Sequence, residues 1–293
     1  MISKNKTANS TTNIKLSAFG VYGILILAAL LILGPFYIVL VTSFMDKAQA
    51  MSPTFALWPE NFNLHGYVEV FTYTSGGGDT IPTVVRGFIN TMIVVVPTTV
   101  VGTLLSALSA YAFAKINFKG SNFMFTVLLA TMMIPGTISL IPSYMIFDKI
   151  GWVDTFLPLV VPGLLGGANT VFFLRQFYFA IPDDLIDASR VDGLSNWGAF
   201  LNVILPLSVP ALVSQLVLNF VSGYNQYLGP LLYLFSPEKY TLQIALNFFK
   251  GTYATDYAVV MAGAIVSLIP TTLMYLFGQK YFLEGIATSG MKL

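Results

Sequence analysis

The sequence predicts an all-α, polytopic membrane protein with six transmembrane helices and one short helix on the cytoplasmic side. Three observations carry this. Hydrophobic residues fill 56% of the 293 positions and charged residues only 9%, against roughly a quarter charged in soluble domains. Charge-free windows long enough to cross about 30 Å of hydrocarbon recur along the chain. These windows are unbroken apolar runs, whereas a β-barrel would show alternation in segments of roughly ten residues.

Taken in order, residues 1–15 read as a cytoplasmic tail, disordered as far as Asn13 because it is rich in Thr, Asn and Ser. The first span, Leu16 to Phe44, outruns a signal-peptide core. Asp46-Lys47 follow it without a small-residue cleavage site, so it is a retained helix. External loop 46–86 carries Pro53, Trp58, Pro59, the Ser75-Gly-Gly-Gly78 run and Pro82, which predict a cap with a flexible tip. His65, the only histidine, falls in this loop and reads as a solvated side chain rather than a ligand. The second span, Gly87 to Ala114, aligns Gly102, Ser106, Ala110 and Ala114 on one face. Another helix can approach closely there, and packing within the chain is preferred over a subunit contact.

The third and fourth spans are Gly120 to Phe147 and Thr155 to Leu174. The fifth lies within Gly193 to Pro237, a window too long for one crossing, where Pro206, Pro210, Gly223 and Pro230 predict irregular flanks. Gln215, Asn219, Ser222 and Gln226 follow spacings of four, three and four, and so share a helical face, with Tyr224, Asn225 and Tyr227 nearby. Amides facing lipid are expensive. The stripe either bonds to neighbouring helices or lines a wet path for a polar solute such as a sugar, and the pattern leaves both readings open. External loop 223–256, the sixth span from Tyr257 to Gln279 with small Gly263 and Ser267, and a cytoplasmic tail 280–293 complete the chain.

With the amino terminus inside, cytoplasmic segments hold nine of the 14 Lys and Arg residues (Lys4, Lys6, Lys15, Lys115, Lys119, Arg175, Arg190, Lys280, Lys292) and external segments five. The bias places both termini in the cytoplasm of a cell membrane. A net charge of +1 shows no nucleic-acid character, and zero cysteines exclude thiol chemistry and cysteine metal sites.

One polar segment interrupts this apolar chain on the cytoplasmic side, Ile181 to Gly198. Pro182 suits the first turn of a helix, and Asp183 and Asp184 suit the positive end of its dipole. Leu185, Ala188, Ser189 and Asp192 share a side, and Gly193 can take the left-handed conformation that stops a helix. The result is a helix of about three turns, whose small Ala188 and Ser189 would press into a partner's cleft. Asp187, Arg190 and Asp192 would supply polar contacts. Ser195 can cap the next helix, which enters the membrane past Trp197, Phe200 and Pro206. Read by physics alone, the segment could equally be an ordinary amphipathic surface helix.

Asp187-Ala-Ser-Arg-Val-Asp-Gly193, followed by Ile204-Leu-Pro206 and Pro210, resembles the Glu-Ala-Ala-x-x-Asp-Gly loop of the inner-membrane permeases of ABC importers. Ala188, Asp192 and Gly193 match, Asp187 stands for the usual Glu and Ser189 for the second Ala. Three further stretches are similar to the carbohydrate-uptake branch, which includes the second permease of the maltose transporter. They are Trp58-Pro-Glu-Asn-Phe-Asn-Leu-His-Gly-Tyr-Val-Glu-Val-Phe71, then Ala110-Tyr-Ala-Phe-Ala-Lys115 with Phe118-Lys-Gly120, and the ending Gln279-Lys-Tyr-Phe-Leu-Glu-Gly-Ile-Ala-Thr-Ser-Gly-Met-Lys292. The family usually has Gly where this chain ends in Leu293.

The resemblance implies that residues 16–293 form a single transmembrane permease domain supplying half the pore of an importer for a sugar or oligosaccharide. It implies a second permease subunit, a pair of cytosolic ABC ATPases and an extracytoplasmic solute-binding protein as partners. Loop 181–200 becomes a coupling loop, its helix a coupling helix, in which Asp187, Ala188, Ser189, Arg190, Asp192 and Gly193 meet an ATPase. The tail, through Gly290 and Lys292, reaches between the ATPases, and loop 223–256 meets the binding protein. Gln215, Asn219, Ser222, Tyr224, Asn225 and Gln226 are the candidate substrate path. No cofactor is expected in this chain, since ATP and magnesium would sit on the partner ATPase.

Two rival classes make different demands. An ion-coupled secondary transporter places ionisable groups near the midplane, and every predicted span is charge-free, although the amides of the fifth span could bind sodium with backbone carbonyls. A membrane enzyme needs clustered acids, bases or metal ligands, and one histidine with scattered carboxylates offers little. The chain also lacks a Gly-x-x-x-x-Gly-Lys-Ser/Thr loop, so it is expected to leave ATP hydrolysis to another subunit.

Overall fold

The computed structural model describes residues 8–54, 56–74, 80–253 and 256–290. Within them the chain is helical, with no strand. The helices are α1 (Ala8–Thr42), α2 (Lys47–Ala50), α3 (His65–Thr72), α4 (Thr83–Lys115), α5 (Ser121–Met132), α6 (Leu140–Lys149), α7 (Leu157–Leu164) and α8 (Ala168–Phe179). Then follow α9 (Asp183–Val191), α10 (Asn196–Ala199), α11 (Leu205–Leu207), α12 (Val209–Tyr224), α13 (Leu228–Tyr233), α14 (Leu242–Thr252) and α15 (Tyr257–Gly290).

Four stretches cross a membrane by length and apolarity: Gly20–Thr42, Thr83–Lys115, Leu157–Phe179 and Tyr257–Tyr281. Two bent pairs are long and apolar enough only when each is taken together, as a broken span or a re-entrant loop. Ser121–Met132 meets Gly136–Lys149 at 88°, and Asn196–Leu207 meets Val209–Tyr224 at 78°. All six predicted windows therefore hold apolar helix, but the third and fifth turn nearly a right angle. Proline explains where. Pro135 lies in the first break, and Pro206 and Pro210 flank Ser208 at the second, each lacking an N–H and clashing with a preceding turn.

The chain forms two compact units, residues 1–70 with 249–266, and 71–248 with 267–293. In the first, α1 begins at Ala8, so the stretch expected to be disordered up to Asn13 is helical from that point. Most of α1 leaves Ile24, Leu27, Leu31 and their neighbours exposed, as a lipid-facing helix does. Its C-terminal end is pinned: the Tyr37 hydroxyl donates to the Leu57 carbonyl at 2.7 Å, and just past the helix Phe44 stacks on Phe62 at 4.7 Å and Ser43 Oγ meets the Tyr67 hydroxyl at 2.8 Å. His65 keeps an exposed side chain, 40% accessible, but it lies in a helix rather than a loop and has acidic partners. It opens α3, where its Nε2 lies 3.3 Å from the carboxylate of buried Asp256 and its Nδ1 4.0 Å from Glu69. The Ser75 to Gly78 tip lies outside the described residues.

In the second unit α4 is the central post, with α7, α8 and α12 packed on it. The predicted small-residue face makes this possible. A Cβ on Gly102 would come within 2.5 Å of the Gly163 carbonyl, and Ser106 Oγ accepts a hydrogen bond from Gly167 N–H at 3.1 Å. The face is thus used inside the chain, where close backbone approach replaces the hydrophobic drive that lipid removes. Towards the other end of α4 from Lys115, Asn90 donates to the Glu238 and Tyr240 carbonyls at 2.9 Å each, and Thr91 Oγ1 accepts from Leu242 N–H.

Candidate functional site

Helix α9 is bounded by local chemistry. Pro182 is its N-cap (φ −58°, ψ 137°), one position earlier than the first-turn placement, with Asp183 and Asp184 in the opening turn. At the other end Asp192 is the C-cap and Gly193 stands at φ +84°. Gly193 N–H bonds to the Arg190 carbonyl and Leu194 N–H to the Ser189 carbonyl, both at 3.0 Å. This pair of bonds is the Schellman arrangement, which satisfies the last carbonyls of a helix and asks for glycine. One residue on, Ser195 Oγ accepts from Gly198 N–H at 3.2 Å and caps α10, as the sequence predicts.

The helix sits on the ends of other elements. Ile186, 2% exposed, inserts into a cluster with Ala107, Tyr111, Leu174, Tyr178 and Phe200. Ser189 follows it inward, 5% exposed, its hydroxyl bonded to the Ile186 carbonyl at 2.7 Å. This corrects the expected face. Ser189 points into the protein, and the outward surface carries Leu185, Ala188, Val191 and Asp192, with Val191 88% exposed. Asp187 and Arg190 are exposed and pair with each other at 3.0 Å, while Arg190 also reaches Asn196 at 3.4 Å.

One tether was not readable from the motif. Lys115, the last residue of α4, donates from Nζ to the Ile181 carbonyl and to Asp183 Oδ1, both at 2.6 Å. Its side chain is nearly buried, so the exchange of water for these two acceptors is what keeps the ammonium satisfied. Tyr111, one turn earlier, donates to the Asn196 carbonyl at 3.1 Å and packs on Phe200 at 5.3 Å. A conspicuous lysine at a span end and an aspartate in a first turn were the available signals, but spacing alone does not pair positions so far apart in sequence.

Beyond α10 the chain winds as a π-helix over Phe200–Ile204, where Leu205 N–H bonds to the Phe200 carbonyl five residues back. Such widened turns recur at functional places in helices. It then breaks at fully buried Ser208 and enters α12. Both α9 and the π segment belong to one packed body with the end of α4.

The polar stripe of α12 divides. Gln215 is buried, and Asn219 bridges two helices, its Nδ2 donating to Thr103 Oγ1 at 3.0 Å and Thr170 Oγ1 at 3.1 Å. Asn219 therefore realises the interhelical reading. Ser222, Asn225 and Gln226 are exposed at the far end, where Asn225 also accepts from Gln243 at 3.4 Å, and Tyr224 between them is buried. Gly290 ends α15, and Lys292 lies outside the described residues. No group of three or more His, Cys, Asp or Glu side chains among the described residues could hold a metal ion.

Bent and straight spans packed on one post, with a short exposed helix fastened to the ends of that bundle, define a membrane transport component. The chain belongs to the family described as binding-protein-dependent transport system inner membrane component, which matches residues 102–283. It is 31% identical to the arabinooligosaccharides transport system permease protein AraQ of Halalkalibacterium halodurans over 80% of this chain and 81% of that one. It is 29% identical to the sn-glycerol-3-phosphate transport system permease protein UgpE of Pectobacterium atrosepticum, over 90% and 94%. Among solved structures, a chain of a bacterial ABC transporter involved in the import of the acidic polysaccharide alginate superposes with a TM-score of 0.74 at 22% identity, over 96% of this chain and all of that one. The protein is a multi-pass ABC transporter permease, and the ion-coupled carrier falls away.

Proposed function

We propose that this chain is one of two unlike permease subunits of an ATP-driven importer for a sugar or oligosaccharide, and that α9 is where a cytosolic ATPase grips it. Family membership supplies the class, and the named substrates of AraQ and of the alginate transporter favour carbohydrate. The single observation that carries the coupling role is α9 itself, closed by its glycine C-cap and fastened by Lys115 and Ile186 while Ala188, Val191, Asp192 and Gly193 stay exposed. A surface helix with no task has no need of so firm a seat. Both termini then lie in the cytoplasm, ATP and magnesium are held by the ATPase pair, and a solute-binding protein delivers substrate to the external side. The C-terminal tail with Gly290 and Lys292 contacts the ATPases. Ser222, Asn225 and Gln226 face the solute path, with Gln215, Asn219 and Tyr224 shaping its wall.

Co-expression with the companion permease, ATPase and binding protein, followed by reconstitution in proteoliposomes, tests this. Uptake of labelled oligosaccharide requires internal ATP and all subunits, and Asp192→Lys abolishes it with the complex still inserted. Uptake driven by an ion gradient in the absence of the ATPase, or unchanged uptake by Asp192→Lys, would overturn it.

A further inference from the structure

Where α4 ends, α5 begins and α8 finishes, the surface opens into a cleft of about 570 Å3 whose wall includes Phe118, Lys119, Asn122, Phe123, Arg175 and Phe179. Its lining holds two cations and no carboxylate. Arg175 is fixed in place: Nε donates to the Phe113 carbonyl at 3.2 Å, and the guanidinium lies over the Phe125 ring at 3.7 Å and the Phe179 ring at 4.4 Å. Both of its Nη groups are left without a protein partner among the described residues, and Lys119, fully at the surface, has no ion-pair partner among them either. A guanidinium held flat by rings and one bond is already oriented for a fork of two oxygens.

The position of the cleft chooses among anions. It lies at the α9 end of the bundle, next to Lys115, which binds Asp183. Its rim is apolar and uncovered, with Phe123 74% and Phe179 49% exposed, and Phe172 and Phe173 continue that exposed surface along α8 into the span. Aromatic rings beside cations at a span end match a headgroup region above and acyl chains below. A free anion would gain nothing from those rings. An acidic protein segment would gain from the cations, but not from the exposed rings that descend along α8 into an apolar span. We propose that this cleft holds the headgroup phosphate of an anionic phospholipid from the leaflet on the α9 side.

The full-length protein, within its assembled transporter in mixed micelles, is equilibrated with phosphatidylglycerol or phosphatidylcholine of identical chains, and retained lipid is measured by native mass spectrometry. Phosphatidylglycerol is retained in preference. Lys119→Gln and Arg175→Gln each lower that retention about fivefold, the equivalent of roughly 1 kcal/mol per cation near a charged headgroup. Phosphatidylcholine is unaffected, and Lys149→Gln, outside the cleft, changes neither lipid. Because Arg175 also braces Phe113, exposed Lys119 supplies the decisive variant if Arg175→Gln fails to fold. Equal retention of the two lipids, or undiminished phosphatidylglycerol in Lys119→Gln, would overturn the assignment. So would displacement of the lipid by millimolar inorganic phosphate. Loss of the co-purifying ATPase from Lys119→Gln with lipid retention intact would give the cleft to a protein segment instead.

Discussion

Replacing Gly193 separates the role of α9 as a shaped element from its role as a patch of residues. Nothing lies within 4 Å of a Cβ built on Gly193, so Ala meets no obstacle and its cost is purely that of the φ of +84°. That cost is about 1–2 kcal/mol, enough to lower the population of the capped form about 5–30-fold where the cap alone decides it. Asn tolerates the left-handed region and costs less. Pro cannot reach that φ and removes the N–H that serves the Arg190 carbonyl, so the cap is lost and the last turn of α9 opens, at about 3 kcal/mol or more. ATP-driven uptake in proteoliposomes should therefore rank native, Asn, Ala, Pro, with Pro inactive. Membrane insertion stays equal throughout, because no span is touched. Wild-type uptake by Gly193→Pro, or a ranking with Ala above Asn, would refute the argument that the shape of this turn transmits the ATPase stroke.

The interior makes its own demands. Asn219→Ala removes the bridge between Thr103 and Thr170 and should lower thermal stability in detergent by about 1 kcal/mol, whereas Ser222→Ala should change uptake kinetics and leave the melting curve alone. Gly102→Leu drives its side chain into the Gly163 carbonyl, and size-exclusion profiles should show aggregated or poorly assembled protein. Burial alone would raise the Asp154 carboxyl. It is outweighed by hydrogen bonds from the Ser236 hydroxyl, the Lys239 ammonium and the backbone N–H groups of Ser236 and Phe235, which hold it well below the usual carboxylate range. A depressed pKa contributes stability above the unfolded value near 3.8 that is lost as pH falls through the folded one. Proteolytic protection of loop 234–240 should hence be flat from pH 5 to 8, and Asp154→Ala should weaken it equally across that range.

What the sequence made legible is what neighbours in sequence decide. Gly193 by its backbone freedom and Ser195 by its hydroxyl set the end of α9 and the start of α10 as expected, while Pro182 marks the start of α9 from the N-cap, one position earlier than its expected place. The inward turn of Ser189 was missed because Ala188 and Ser189 look alike as small residues. Ile186, three positions before Ser189 and the large apolar side chain that seeks the core, was the signal that could have fixed the face. The two right-angle breaks were marked by prolines, but a charge-free window contains nothing that says how sharply a helix turns inside it. Asn219 could not be resolved between bridging and solute contact, since its partners, Thr103 and Thr170, come from two other helices. The environment of His65 was hidden for the same reason, because Asp256 arrives from the far end of the chain.

The break at Ser208 makes the fifth span a bell crank. One arm, Asn196–Leu207, is about 18 Å long and the other, Val209–Tyr224, about 24 Å at 1.5 Å per residue. Set at 78°, they turn a sideways push at Asn196 into travel across the bundle at Tyr224. A swing of about 10° displaces the first tip by about 3 Å and the second by about 4 Å. The lever is thus geared slightly upward, and its pivot is a buried serine between two prolines, neither of which has an N–H to give the helix. Under the proposed coupling, stiffening that pivot would separate stroke from response without altering any residue proposed to touch an ATPase or a solute.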